Sequence, residues 1–333
     1  FTQSDTDGDT VWNITDWRRN GVSIALLNLP FNTNVTSGTI KDYSTNNGLV
    51  TLGQGNTSRV PQWRNNGKVG GAYYFDGVDD VIQLNNDNGV LNFTNNFSFS
   101  IWVNLTNIYT NGIFALGSYN GVALYYHQDN GLYLLVRTTS GDYTTYWKNN
   151  TMLNIWVHLA GTFNGTHIIV YRNGLYDNQT VIPYSNRTNT GMGCIGADTN
   201  ATAECWHSNG WLYTGFIDEF MLFNRTLSPK QIYEIYQAGL EGKGFDMLVS
   251  QETIIGDEWT VAVTPSDGFD DGASVTSNPL TILLDPIYVS LIKPVNGNNT
   301  VTSPVFFVSN VSDDSEVVNA TLYTNESGSW VAR

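Results

Sequence analysis

Two stretches of the chain carry its clearest strand pattern: GGAYYFDGVDDVIQL at residues 70–84 and GFIDEFMLFNRTLSPKQIYEIYQAGL at residues 215–240. Between them, short apolar runs alternate with turn residues. The run FSFSIWV at residues 97–103 alternates apolar and polar side chains, which predicts a strand with one face in a core and one in solvent. Asn-Gly pairs at residues 111–112, 130–131 and 173–174 predict tight hairpins. The sequence therefore predicts an antiparallel β-sandwich.

The composition excludes several classes of protein. A chain of 333 residues predicts more than one domain. The net charge is −15 although only 14% of the residues are charged. Such a surface repels phosphate, so nucleic acid is not an expected partner. No apolar run reaches the roughly 20 residues that span a bilayer, so we expect no transmembrane segment in this chain.

Short segments distributed over residues 29–240 carry a family resemblance. They are GKVGGA at 67–72, FDGVDD at 75–80, FSIWV at 99–103, WVHLA at 156–160, YRNG at 171–174, GFIDE at 215–219 and NRTLS at 224–228. In this order they resemble the laminin G-like, or concanavalin A-like, jelly-roll family. One helix follows: Ser228 is its predicted N-cap, Gln231 completes a capping box, and Gly239 ends it. We expect this helix to cover an edge of the sandwich.

The flanking residues predict a second kind of domain. DTDGD at 5–9, WRRNG at 17–21 and GDEWTVAVTPSDG at 256–268 resemble strands of an immunoglobulin-like module of microbial, archaeal surface glycoproteins. This resemblance implies a discontinuous domain of residues 1–28 plus 241–285, lacking its first strands, with the jelly roll of residues 29–240 inserted in it. The alternative is three domains in series. Residues 286–333 resemble the start of a second, incomplete immunoglobulin-like domain. We expect the missing strands to come from a neighbouring subunit, by self-association, or from a longer chain.

The chain has sixteen Asn-x-Ser/Thr sequons, whereas its composition alone would give about seven. They lie at Asn13, Asn34, Asn56, Asn92, Asn96, Asn104, Asn149, Asn164, Asn178, Asn186, Asn200, Asn224, Asn298, Asn310, Asn319 and Asn325. The excess predicts N-glycosylation and an extracellular or cell-surface location. The alternative is that an Asn- and Thr-rich β protein generates sequons without glycans.

The two cysteines, Cys194 and Cys205, flank a Gly-, Asn- and Thr-rich stretch that is typical of a hairpin loop. In an exported protein this spacing favours a disulfide over two buried thiols. The nearest histidine, His207, has no partner at a spacing that suits zinc.

Four carboxylates are candidate ligands of a structural calcium ion: Asp76, Asp79, Asp80 and Asp218. The resemblance implies them, since jelly rolls of this family often hold calcium near these strands. Ca²⁺ takes six to eight oxygen ligands, which clustered Asp residues and Gly turns supply. The alternative is that residues 76–77 form only a turn and that Asp218 is an edge-strand charge.

The sequence does not predict an enzyme. The adjacent Asp218 and Glu219 should point to opposite faces of a strand, unlike the paired carboxylates of glycosidases. No nucleophile motif accompanies the four histidines, which are expected to be structural. Six aromatic residues near predicted loops are candidates for stacking on sugars, although most aromatics of a sandwich belong to its core. They are Tyr125, Tyr126, Tyr146, Trp147, Trp206 and Trp211, of which Trp206 and Trp211 are the preferred pair.

These observations predict a non-enzymatic extracellular glycoprotein that acts as a structural or adhesive part of a cell surface or filament. The alternative is a lectin-type module that binds carbohydrate. The partners expected are further copies of the chain, neighbouring surface proteins and glycans.

Overall fold

The structure is a computed structural model. It describes residues 8–283, except 94–95, 108, 110, 120, 149–151, 189–190, 201, 203 and 207–210, and four strands between residues 288 and 332. The chain divides into two units, residues 1–280 and 281–333. The all-β prediction is confirmed, and α1 is the one α-helix of the described residues.

The strands are named here in chain order. They are β1 (Trp12–Arg19), β2 (Val22–Ser23), β3 (Leu27–Leu29), β4 (Thr39–Ile40), β5 (Val50–Leu52), β6 (Gln62–Arg64), β7 (Ala72–Asp76), β8 (Ile82–Leu84), β9 (Phe97–Leu105), β10 (Asn111–Leu116), β11 (Val122–His127), β12 (Gly131–Thr138), β13 (Gly141–Tyr146), β14 (Val157–Phe163), β15 (His167–Arg172), β16 (Leu175–Val181), β17 (Gly193–Ile195), β18 (Asp198–Thr199), β19 (Cys205–Trp206), β20 (Thr214–Phe223), β21 (Glu258–Ser266), β22 (Val275–Thr276), β23 (Leu280–Thr281), β24 (Tyr288–Lys293), β25 (Val308–Ser312), β26 (Tyr323–Thr324) and β27 (Val331–Ala332). Helix α1 spans Pro229–Leu240, and 3₁₀ turns span Gly53–Gly55, Thr57–Arg59 and Ser250–Glu252.

Two eight-stranded antiparallel sheets form the sandwich. The first has the order β13-β12-β11-β10-β17-β8-β5-β4. The second has the order β16-β15-β14-β9-β20-β7-β6, and β3 also pairs with β20. The core lies between the sheets and is rich in aromatic rings, which pack edge to face. Phe114 of the first sheet lies 4.8 Å from Phe99 and 5.4 Å from Phe220 of the second sheet, between ring centroids.

The outer face of β9 is buried, contrary to the prediction for residues 97–103. Ser98, Ser100 and Trp102 alternate with the core residues but are also inaccessible. The Ser98 hydroxyl donates to the Arg225 carbonyl and accepts from the Leu227 N–H. The segment after β20 and helix α1 therefore cover the face that the sequence pattern assigned to solvent.

Helix α1 lies on the outer face of the second sheet, not along an edge as predicted. Tyr236 of the helix stacks on Trp102 of the central strand β9 at 5.7 Å. At its N-terminus, one of the two hydrogen bonds of the predicted capping box forms: Ser228 Oγ accepts from the Gln231 N–H. The Gln231 side chain instead binds the backbone of Met247 and Val249, and Glu252 accepts from the Ser228 N–H. The helix thereby fastens the following segment to the sandwich.

The predicted hairpins are only partly correct. Asn173 and Gly174 both have positive φ, 48° and 73°, and connect β15 to β16 as expected. The hairpin predicted at residues 111–112 is wrong, because both residues lie inside β10. Asn111 Oδ1 accepts from the Thr214 N–H, and a Cβ at Gly112 would lie 2.6 Å from the Trp211 carbonyl oxygen.

A third sheet of five strands joins the two flanks of the jelly roll. β1 pairs antiparallel with β21 over its whole length, from Trp12 opposite Ser266 to Arg19 opposite Trp259. The two-residue strands β2, β22 and β23 extend this sheet. The chain thus enters and leaves residues 29–240 through neighbouring strands, while the immunoglobulin-like assignment of this sheet stays a prediction.

The second unit is described through its strands alone. β24 pairs antiparallel with β25, and β26 pairs antiparallel with β27. No helix of the described residues is both long and apolar enough to cross a membrane.

Candidate functional site

An aromatic row crosses the outer face of the first sheet. Tyr125 in β11 lies directly opposite Tyr133 in β12, which lies opposite Tyr146 in β13. Their ring centroids are 5.2 and 5.4 Å apart. Trp211 extends the row at the other end, edge-on to Tyr125 at 5.1 Å. We call these four residues the aromatic row.

From Tyr125 through Tyr133 to Tyr146, the side chains of the aromatic row become more accessible to solvent. Tyr125 is 3% exposed, Tyr133 and Trp211 are partly buried, and Tyr146 is 42% exposed. The intervening residues of the same strands, such as Leu124 and Leu134, belong to the core, so the row faces away from it. The two-residue periodicity of the strands therefore places these rings on the outer surface.

The hydroxyl groups of Tyr125 and Tyr133 stay protonated near neutral pH. Burial raises the pKa of Tyr133 to about 12, and the charge of Asp198 adds to this effect. Burial and Asp198 also raise the pKa of Tyr125. His127 lies beside Trp211 at 5.8 Å between ring centroids. The surface thus combines flat apolar rings with hydroxyl and imidazole hydrogen-bonding groups.

A disulfide bond between Cys194 and Cys205 holds a hairpin beside this surface, as predicted. Cys194 lies in β17 of the first sheet, and Cys205 lies in β19, which pairs with β18. Both cysteines pack in a small cluster with Val81, Ala197 and Leu212. Trp211 comes five residues after β19 in the sequence, and its carbonyl oxygen accepts from the Gly112 N–H at 3.1 Å.

The aromatic residues that the sequence proposed separate into two groups. Tyr125, Tyr146 and Trp211 belong to the aromatic row. Trp147 is buried, with its indole N–H donating to the Tyr171 carbonyl, and Tyr126 packs against the core. The side chain of Trp206 lies outside the described part of the chain.

Sequence reasoning did not find Tyr133. The hairpin register could have identified it, because a turn at residues 128–130 places 125 opposite 133.

Three of the four predicted calcium ligands lie together at the turn between β7 and β8. One oxygen from each of Asp76, Asp79 and Asp80 lies within 4.8 Å of the others. Gly77 makes this turn possible: its φ is 79°, and a Cβ there would lie 2.1 Å from Thr214 Oγ1. Asp76 Oδ1 accepts from the Val78 N–H and Asp80 Oδ2 from the Asp76 N–H, which fixes two of the carboxylates.

The charges of this cluster suit a hard divalent cation. Burial, together with the charges of Asp76 and Asp79, raises the pKa of Asp80 to about 6. Asp76 is exposed and Asp79 partly buried, so water can supply the remaining oxygens that Ca²⁺ requires. The nearest cation described is Arg59, whose Nε lies 4.0 Å from Asp79 Oδ2. The donor set therefore fits calcium, which would relieve the repulsion among the three carboxylates.

The fourth predicted ligand, Asp218, lies apart from this cluster. Thr214 is opposite Asp76, and Asp218 is four residues further along β20, roughly 13 Å away. Asp218 is fully buried, and its carboxylate accepts from the N–H groups of Lys68, Val69 and Glu219 at 2.7–2.9 Å. Its role in the structure is to fix the backbone of residues 68–69.

The neighbouring Glu219 is also buried, although strand alternation predicted that Asp218 and Glu219 point to opposite faces. A register shift between Asp218 and Met221 turns both acids into the protein, and Glu219 has a positive φ of 49°. Within the described residues its Oε1 has no hydrogen-bond partner. It borders a cavity of about 10 Å³, which holds at most one water. Burial and the charge of Asp218 raise its pKa well above the ordinary value.

None of the eleven sequon asparagines with a described side chain is buried. Asn13, Asn56, Asn92, Asn96, Asn164, Asn186 and Asn224 are exposed, and Asn34, Asn104, Asn178 and Asn200 are partly buried. Asn149, Asn298, Asn319, Asn325 and the side chain of Asn310 lie outside the described residues. The side chains of the seven exposed acceptors therefore reach the surface.

Comparison with known proteins agrees with this geometry. Residues 76–233 match the model of a family described as the concanavalin A-like lectin/glucanases superfamily. The fold is a concanavalin A-like jelly roll. No curated protein matches the sequence.

Solved structures with this jelly roll are distant in sequence. The botulinum neurotoxin serotype G binding domain is 12% identical, with a TM-score of 0.50, over 87% of this chain and 73% of that chain. Domain 4 of AbnA, a GH43 extracellular arabinanase from Geobacillus stearothermophilus solved with arabinotriose, is 20% identical, with a TM-score of 0.49, over 66% of this chain and 98% of that chain. At 12% identity, the similarity to the toxin binding domain shows the fold alone.

Proposed function

We propose that the chain is a non-enzymatic extracellular glycoprotein whose jelly roll binds carbohydrate through the aromatic row. The observation that carries this proposal is the alignment of Tyr133, Tyr146 and Trp211, which are partly or well exposed, around the buried Tyr125 on the outer face of the first sheet. Aromatic side chains on an outer surface are expected where a ligand covers them.

The chemistry of the aromatic row matches a sugar better than a charged ligand. The C–H faces of a pyranose pack on aromatic rings, while its hydroxyls exchange hydrogen bonds with phenol and imidazole groups. Arg137 and Asp142, on the same face of β12 and β13, form an ion pair that neutralises both charges. A neutral, polyhydroxylated ligand is therefore the class we propose.

The arrangement of the carboxylates supports a non-catalytic role. Glycoside cleavage uses two carboxyl groups on either side of the scissile bond. Asp218 and Glu219 are buried in the second sheet, so a sugar on the aromatic row of the first sheet does not reach them. The Asp76, Asp79 and Asp80 cluster is held in a tight turn, and we propose a structural calcium ion there.

An extracellular location accounts for the disulfide and the accessible sequons together. Disulfides persist in oxidising environments, and N-glycans are added to exported chains. We propose that the exposed sequons carry glycans and that the protein belongs to a cell surface.

Glycan binding by the aromatic row can be measured with a glycan array followed by calorimetry. Tyr133→Ala and Tyr146→Ala should each weaken binding of the best glycan about tenfold or more, which corresponds to about 1.4 kcal/mol. Tyr176→Ala is the matched control, because Tyr176 is 55% exposed on β16 of the other sheet. An array without hits, or equal losses in all three variants, would contradict the proposal.

Self-association is a second candidate role, and the five-stranded sheet favours it. Its outer strands β2, β22 and β23 have two residues each, and Val22, Val275 and Leu280 are more than half exposed. Edge strands with exposed apolar side chains can pair with a strand of another molecule. Light scattering should then show an oligomer that Val275→Lys dissociates, whereas a monomer at all concentrations would exclude this role.

A further inference from the structure

A groove of about 490 Å³ lies between the five-stranded sheet and residues 242–246. Its lining includes no residue of the aromatic row. Its floor is apolar and formed by Trp17, Val69, Val261 and Val263. Its rim is polar, with Asn13 on one side and Lys243 and Asp246 on the other. An apolar floor with a few polar groups at the rim is the usual form of a small-molecule site, and the volume falls within the usual range of about 300–1000 Å³.

The groove has a sequon on its own wall. Asn13 and Thr15 of the sequon Asn13-Ile14-Thr15 lie on the same face of β1 as Trp17, because strand side chains alternate with a period of two. Across the ladder, Thr15 is opposite Val263 and Trp17 is opposite Val261. A group attached to Asn13 therefore starts at one end of the apolar floor.

The facing wall leaves room for such a group. Gly242 and Gly244 line the groove, and a Cβ at Gly242 would have no heavy atom within 4 Å. The wall is held in place by the Phe245 carbonyl, which accepts from Thr15 Oγ1 and, at 3.1 Å, from Trp17 Nε1. Asn13 itself is exposed at the rim.

We propose that Asn13 carries an N-linked glycan whose innermost sugar residues lie in this groove, on the partly exposed Trp17 and Val261. A covalent tether at the rim gives the first sugars a millimolar or higher effective concentration at the floor, so even weak stacking holds them there. The glycan covers apolar surface that would otherwise face water, and it joins β1, β21 and residues 242–246. The proposal rests on glycosylation of the chain and is independent of sugar binding by the aromatic row.

The test uses the full chain secreted from a host that adds N-glycans. Glycopeptide mass spectrometry should find Asn13 occupied, and a bare Asn13 would overturn the proposal. Asn13→Gln should lower the melting temperature by about 2–4 °C. Asn224→Gln is the matched control, since Asn224 is an exposed sequon that does not line the groove, and it should leave the melting temperature unchanged.

Two further measurements separate stacking in the groove from a general effect of a glycan. Hydrogen exchange of residues 242–246 and of β21 should be faster in Asn13→Gln and unchanged in Asn224→Gln. In a Trp17→Leu background, Asn13→Gln should lose most of its effect on the melting temperature, because the two residues act through one contact. Equal effects of Asn13→Gln with and without Trp17, or equal effects of the Asn13 and Asn224 variants, would overturn the proposal.

Discussion

At the scale of single residues, the second sheet contains ionisable groups that water does not reach. His158 is fully buried between Trp102 and Tyr236, and its Nε2 pairs with the Ser100 hydroxyl at 2.8 Å. Burial lowers the pKa of His158 to about 3. The imidazole is therefore neutral in the folded protein, although it protonates near its ordinary pKa of 6.5 once the chain unfolds.

His158 makes the fold sensitive to acid. Between pH 6.5 and 3 the unfolded chain binds a proton that the folded chain excludes, so stability falls as the pH falls through this window. The expected loss from this residue is about 1.4 kcal/mol per pH unit. Urea denaturation of the parent and of His158→Gln at pH 7.5, 5.5 and 4.5 should show a steeper loss in the parent.

Comparing the parent with His158→Gln separates the effect of His158 on the pH dependence of stability from that of other titratable groups. Burial raises the pKa of both Asp218 and Glu219. Their protonation therefore increases the stability of the fold as the pH falls, whereas His158 decreases it. His167→Gln, at a partly exposed position, is the control and should keep the slope of the parent. An identical slope in His158→Gln would show that the imidazole is hydrated or charged in the folded state.

At the scale of elements, the side chain of Gln231 links helix α1 to the segment after it. Gln231 is fully buried, donates to the Met247 carbonyl and accepts from the Val249 N–H. Gln231→Ala should lower the free energy of unfolding by about 1–3 kcal/mol, since both backbone groups lose their partner. Gln237→Ala, on the same helix but only partly buried, should change it by less than about 0.5 kcal/mol. Equal effects in thermal melts would contradict this role.

The disulfide joins β17 of the first sheet to the hairpin of β18 and β19, which precedes Trp211 of the aromatic row in the sequence. Replacing Cys194 and Cys205 by Ser together should destabilise the protein by about 2–3 kcal/mol, because the bond closes a short loop. It should also weaken glycan binding, since Trp211 follows the hairpin. Calorimetric melting and a glycan titration check the two effects separately, and unchanged affinity would exclude the hairpin from the binding surface.

At the scale of the whole molecule, the sequence predicts the sandwich better than it predicts the surfaces. Alternation and the turn residues identify β9 as a strand, but its outer face is buried because α1 packs there, and that contact joins residues far apart in sequence. The left-handed backbone of Glu219 has no local signal either, since it arises from the register shift in β20. The Asp76, Asp79 and Asp80 cluster was predictable because one turn brings the three residues together, whereas the membership of Tyr133 and Tyr146 in the aromatic row depends on hairpin register.

The stability of the whole jelly roll should depend on calcium. A ligand that binds only the folded state raises the melting temperature with its concentration. Calorimetry in 5 mM EDTA and in about 5 mM CaCl₂ should therefore differ by several degrees. Asp79→Asn should abolish the difference, while Asp142→Asn, remote from the cluster, should preserve it. Equal transitions in both buffers would show that the carboxylates form only a turn.

The pairing of β1 with β21 has a mechanical consequence. Trp12 and Ser266 are opposite each other at the same end of this ladder, and the whole jelly roll is attached at its far end. Tension applied at Trp12 and Ser266 should be carried first by this ladder, which would open one residue pair at a time. Such tension should reach the jelly roll only after the ladder has opened, so the sandwich should stay folded while the ladder yields.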